Sequence, residues 1–131
     1  TAGAKRPKVI GVTMLTSLDQ SDLAATGVSG SPSEHVIRLA KLAKSSGLDG
    51  VVCSAHEIEP LRRALGKDFM LIVPGIRPAG GALGDQKRVM TPREAFALGA
   101  TIIVIGRPIT EAADPATAAR AIRDELFPAA A

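Results

Sequence analysis

Cysteine and aromatic residues are scarce in this chain: among 131 residues there is one cysteine, no tryptophan, no tyrosine and three phenylalanines. Each scarcity removes a class of protein. Cys53 alone builds neither a disulfide framework nor a multi-cysteine zinc site, which fits a reducing compartment and predicts a cytoplasmic protein. The two histidines, His35 and His56, fall on different predicted helices and give no metal-ligand spacing, so no metal is expected. With almost no aromatics, the stacking platforms that single-stranded nucleic acid requires are missing. Basic residues outnumber acidic ones 16 to 13, a net charge of +3. They are scattered, with local pairs such as Arg62-Arg63 and Lys87-Arg88 and no long run. That distribution speaks against a nucleic-acid partner and suits a small anionic substrate. No apolar run approaches the ~18 residues of a membrane-spanning helix. The opening Thr-Ala-Gly-Ala-Lys-Arg-Pro-Lys lacks the apolar core of a secretory signal, so neither membrane insertion nor export is expected. No Gly-x-Gly-x-x-Gly joins a strand to a helix, which removes the dinucleotide fingerprint.

What is present is a globular pattern. A hydrophobic content of 46% is too high for disorder, and the 13 glycines and nine prolines interrupt the chain too often for a coiled coil. Residues 1–131 read as one domain unit, without a linker-like stretch. Val9-Ile10-Gly11-Val12, Gly50-Val51-Val52-Cys53, Met70-Leu71-Ile72-Val73 and Ile102-Ile103-Val104-Ile105 are continuous apolar runs. Such runs predict strands of a parallel sheet buried on both faces.

Helix starts lie between them. Ser31-Pro32-Ser33-Glu34, Ser54-Ala55-His56-Glu57 and Thr91-Pro92-Arg93-Glu94 have capping-box spacing, and Asp114-Pro115 opens a fourth helix. Gly47, Gly66 and Gly99 stand where positive-φ helix ends are needed. The order β-α-β-α-β-α-β-α means a parallel α/β architecture with right-handed crossovers. Four such units make either a small open sheet or half of a (β/α)8 barrel, which takes ~250 residues in all.

In either case function belongs in the loops after the strands. The third such loop, Pro74-Gly75-Ile76-Arg77-Pro78 through Gly84-Asp85-Gln86 to Val89, is long for a compact domain and rich in glycine. Its backbone can approach a ligand closely, and Arg77 and Gln86 bracket it with a guanidinium and an amide suited to phosphate. The fourth, Gly106-Arg107-Pro108-Ile109-Thr110, offers bare backbone amides and a cation at one spot. If these are the last two strands of a barrel, both loops fall where barrels commonly bind phosphate. Thr16 and Ser17, after the first strand, suit a heterocycle's amide edge. Taken alone, a Ser or Thr at a strand end more often caps a turn, here the following Asp19-Gln20-Ser21-Asp22. Cys53 and His56 are not read as a nucleophile pair, because no third residue orients the histidine and a lone cysteine is an ordinary core residue.

Taken together, these segments resemble the orotidine 5′-phosphate decarboxylase family. The resemblance rests on Val12-Thr13-Met14-Leu15-Thr16-Ser17, Gly47-Leu48-Asp49-Gly50-Val51-Val52-Cys53-Ser54, Pro74-Gly75-Ile76-Arg77-Pro78, Gly84-Asp85-Gln86-Lys87-Arg88-Val89-Met90-Thr91-Pro92 and Val104-Ile105-Gly106-Arg107-Pro108-Ile109-Thr110. It covers roughly residues 8–126. It implies a TIM barrel and a carboxy-lyase of pyrimidine biosynthesis that converts orotidine 5′-monophosphate to UMP and carbon dioxide, homodimeric and without metal or organic cofactor. It further implies that Ser17, beside Thr16, contacts the pyrimidine amide edge, and that Pro74 lines the pocket where the phosphate loop begins. Gln86 would lie between phosphate and base, Arg107 with the amide of Gly106 would hold the phosphate, and Arg77 would assist.

One departure is large. The family's Asp-x-Lys-x-x-Asp reaction centre, whose lysine protonates the carbon left by carbon dioxide, has no match. Its nearest imitation, Asp85-Gln86-Lys87, has Met90 in the position of the second aspartate and lies in the phosphate loop. Lys5 and Lys8 precede the first strand, at the wrong end of a barrel. The chain therefore reads as the C-terminal half of the barrel, strands five to eight, inactive alone for want of its acid. Its open edges are expected to meet the N-terminal half or a second copy. The rival readings are a non-catalytic nucleotide- or phosphate-binding module of the same fold, and another phosphate-gripping barrel enzyme such as a sugar-phosphate epimerase or aldolase.

Overall fold

Four short parallel strands form one sheet in the order β1-β2-β3-β4 in a computed structural model that describes residues 5–78 and 90–127. The strands are β1 (Ile10–Val12), β2 (Gly50–Val52), β3 (Met70–Pro74) and β4 (Ile102–Val104). The helices are α1 (Gln20–Ala25), α2 (Pro32–Ser45), α3 (Ile58–Leu65), α4 (Pro92–Leu98), α5 (Arg107–Thr110) and α6 (Pro115–Leu126). A 3-10 turn, Ala55–Glu57, runs directly into α3. Every strand lies beside its predecessor in sequence, so the winding never reverses. A doubly wound sheet needs such a reversal, whereas a barrel is wound in one direction throughout. The four βα units are thus a half-barrel.

The capping chemistry sets the helix starts. Ser31 accepts from the amide of Glu34 while Glu34 accepts the Ser31 amide at 2.8 Å. Thr91 and Glu94 repeat this, and Asp114 accepts from the amide of Thr117. At the helix ends, φ is +82° at Gly47, +78° at Gly66 and +109° at Gly99. One expectation fails here: Asp19–Asp22 is no free turn but a further capping box that starts α1.

The strand burial also departs from expectation. Register places Val12, Val52, Ile72 and Ile102 on one face, and Val51, Leu71 and Val73 on the other. The second face is fully buried under Val36 and Ala40 of α2, Ile58, Leu61 and Leu65 of α3 and Ala95 of α4. The first face is open, with Val12 62% and Val104 47% exposed. The physical reason is that one helix layer covers one face of the sheet, so only the inner strands gain burial near that expected of two-sided strands. At the N-terminal ends of the strands, Asp49 collects the approach to β1. It accepts from Arg6 at 2.8 Å, Lys8 at 3.3 Å and the Val9 amide at 2.7 Å.

Candidate active site

Parallel pairing brings the C-terminal ends of all four strands to one edge, so the loops that follow them share it. Pro74 pairs with Val104, two residues before Gly106, and Val52 pairs with Val12 at the start of the β1 loop. Thr13 anchors that loop by donating its hydroxyl to the Val52 carbonyl at 2.9 Å. The Leu18 amide then bonds the Leu15 carbonyl at 3.1 Å. The intervening Thr16 and Ser17 are thereby held at the tip of a tight turn, both exposed.

Two adjoining depressions open at this edge. One, of about 110 Å³, is lined by Thr16, Ser54, Ala55, His56, Pro74, Gly75 and Met90. The other, of about 410 Å³, shares Thr16, Ser54 and His56 and extends over Leu15, Leu18 and Ser31. Thr16 and Pro74, selected from sequence for different reasons, are therefore on one wall-to-wall surface. His56 and Met90 were not selected from sequence as ligand-lining residues. Met90 reaches the site because the Arg77 amide donates to its carbonyl at 3.2 Å, which joins the two ends of the segment between them. No local signal announces such a contact. Arg77 is half-buried beyond Gly75, whose φ of +77° turns the chain out of β3. Gln86 lies outside the described residues.

At the end of β4, Gly106 caps α5, accepting from the amides of Ile109 at 2.8 Å and Thr110 at 3.1 Å. Its φ is −98°, and a Cβ placed there meets nothing within 4 Å. Packing within the described residues does not call for glycine at this position. Arg107 is exposed, and among the described residues its guanidinium has no carboxylate partner.

Cys53 is fully buried, and desolvation, reinforced by the Glu57 carboxylate, pushes its thiol up to about 12. A thiol so held is not a nucleophile at neutral pH. Among the described residues no three metal-ligating side chains converge. Among the described residues no helix is long and apolar enough to cross a membrane.

A singly wound parallel half-barrel, with depressions at the edge where its strand-end loops meet, defines the class, and comparison with known proteins specifies it. Residues 1–122 match the model of the orotidine 5′-phosphate decarboxylase / HUMPS family, and the chain belongs to that family. It is 61% identical over 125 residues to the orotidine 5′-phosphate decarboxylase of Gluconobacter oxydans, covering 95% of this chain and 53% of that one. Identity to the Vibrio campbellii protein of the same name is 59%, with the same coverage. The crystal structure of orotidine 5′-phosphate decarboxylase from Lactobacillus acidophilus superposes with a TM-score of 0.82 at 41% identity, over 97% of this chain and 52% of that one. The chain spans about half the length of the curated relatives it matches.

Proposed function

We propose that this chain carries the phosphate- and pyrimidine-binding loops of an orotidine 5′-phosphate decarboxylase, the C-terminal half of a cytoplasmic (β/α)8 enzyme of pyrimidine biosynthesis. Thr16 and Ser17 meet the amide edge of the pyrimidine, and Pro74 lines the pocket between base and phosphate. Arg77, Gln86, Arg107 and the Gly106 amide grip the phosphate. The reaction releases carbon dioxide from orotidine 5′-monophosphate and places a proton on the vacated carbon, giving UMP. The acid for that step, a lysine of an Asp-x-Lys-x-x-Asp motif, belongs to the other half of the barrel, because no such motif occurs in these residues. Grip on a remote phosphate contributes to catalysis when its binding energy is used to close the site and stabilise the transition state. The missing half seats against the open sheet face, and the assembled enzyme is a homodimer.

The observation that carries this reading is the Arg107 guanidinium, exposed and without an ion-pair partner among the described residues, beside an unencumbered Gly106 at the end of the last strand. Calorimetric titration of the chain with UMP tests it. A charge-assisted bond to phosphate contributes about 1.5–3 kcal/mol, so Arg107→Ala is expected to weaken binding by about ten- to a hundredfold. Gly106→Ala is expected to weaken binding as well. Orotidine 5′-monophosphate, followed by absorbance, is expected to be stable with the chain alone and consumed once the N-terminal half of a relative is added. Turnover by the pure chain alone would place the proton donor within these residues.

A further inference from the structure

We propose that His56 is a ligand-contacting residue of this site, its imidazole hydrogen-bonding an oxygen of the bound pyrimidine nucleotide. The inference rests on the functional reading above and adds a residue that neither the family resemblance nor the sequence motifs assign.

Three observations converge on it. His56 follows β2 and lines both depressions, so it stands where the wall bearing Thr16 faces the wall bearing Pro74 and Gly75. Because β2 lies between β1 and β3 in the sheet, the loop carrying His56 lies between the β1 turn and the start of the β3 loop. Second, the imidazole is exposed and makes no hydrogen bond to any described residue. Its neighbour Glu57, also lining the larger depression, is already engaged, accepting the Ser54 amide at 2.7 Å. His35, by contrast, already has the Arg38 guanidinium 3.3 Å from its Nδ1. Third, the chemistry fits. A neutral imidazole offers one donor and one acceptor, and a protonated one offers two donors. Either form can serve the oxygens of a nucleotide, and besides His56 only Thr16 and Ser54 bring side-chain hydrogen-bonding groups to the smaller depression.

The role is distinct from nucleophilic catalysis. Cys53, the only thiol, is buried and held protonated, so His56 has no partner to activate. Its contribution is to ligand affinity and orientation.

Two histidines make the test direct, because the ring-proton spectrum holds only two sets of signals and His35→Ala assigns them. UMP added to the full chain is expected to shift the His56 ring signals and leave those of His35 in place. His56→Ala is expected to weaken UMP binding by about tenfold, the range of one hydrogen bond, and His56→Gln to recover part of it through the amide. Circular dichroism should be unchanged in both variants, since no described hydrogen bond is lost. If UMP binds, Arg107→Ala weakens it and the His56 signals stay fixed, the inference is overturned while the functional reading stands. If the chain shows no UMP binding, both fall. Should His56→Ala misfold, the ring signals of the unmodified chain decide the matter.

Discussion

Arg62 grips the carbonyl oxygen of Gly99 with two donors, Nε at 2.8 Å and a terminal nitrogen at 2.7 Å. The two residues lie 37 positions apart, and the contact ties α3 to the turn between α4 and β4. The same guanidinium donates to the carbonyls of Phe69 at 2.6 Å and Gly66 at 2.9 Å, and to the Thr101 hydroxyl at 3.0 Å. Thr101 in turn accepts the Leu71 amide at 3.0 Å, which completes a polar joint at the N-terminal ends of β3 and β4. Gly99 must remain small: its φ is +109°, and a Cβ there would crowd the Arg62 side chain at 3.0 Å.

Removing that joint leaves several partly buried acceptors unsatisfied, a loss of about 1–3 kcal/mol for each well-buried group and less where water reaches it. Arg62→Ala is expected to lower unfolding free energy by about 2–3 kcal/mol, read as a shifted urea midpoint. Arg62→Lys should recover little, because one ammonium cannot reproduce the planar fork. A midpoint unchanged in Arg62→Ala would mean the joint is ornamental to stability.

Acid should loosen the helix starts. The carboxylate of Asp19 is held below its ordinary range by the Ser21 hydroxyl and then by the amides of Asp22 and Ser21. The Ser31 amide and hydroxyl lower Glu34, those of Thr91 lower Glu94, and the Thr117 hydroxyl and amide lower Asp114. Because the folded values lie below the unfolded ones, the unfolded chain takes up protons first as the pH falls. The stabilisation is complete above the ordinary values of 3.8 for aspartate and 4.5 for glutamate, and is lost as pH drops through the folded ones. Urea midpoints measured from neutral pH to pH ~3 should decline. A Glu34→Gln, Glu94→Gln double variant should be less stable at neutral pH and decline less steeply. An identical slope in both proteins would remove these boxes as the cause.

Which features the sequence discloses depends on how far apart the interacting atoms are. The boxes at Ser31–Glu34 and Thr91–Glu94 are legible because all their partners lie within four residues. Asp19–Asp22 is the same device, but with aspartate in place of glutamate, ahead of a six-residue helix, it reads as a turn. Strand positions are legible from the apolar runs, whereas their burial is not. Ile102-Ile103-Val104 looks like Leu71-Ile72-Val73, and only the arrangement of strands and helices distinguishes an edge from a centre. The site divides the same way. Thr16, His56 and Pro74 lie at or just after strand ends and are placed by position, while Met90 enters through tertiary proximity. Gly50 carries a further hidden constraint, since a Cβ there would collide with the carbonyl and Cβ of Met70 across the β2–β3 pair.

The open sheet face bears on assembly. Val12 at one edge and Ile102 and Val104 at the other present exposed β-branched side chains, and both outer strands also carry unpaired backbone groups among the described residues. Contiguous apolar surface beside free strand edges favours association over a solvated monomer. Both edges run in the same direction, so β4 of one four-stranded unit can continue in parallel with β1 of another. Light scattering on the isolated chain should therefore give a mass at or above about twice 13.5 kDa. Val104→Lys, which places a charge on that face without touching the helix-packed core, should shift the distribution towards the monomer. Adding the N-terminal half of a relative should replace self-association with a one-to-one complex, because that half competes for the same edges. A stable monomer of the unmodified chain would mean that the face is tolerated in water and that neither edge seeks a partner.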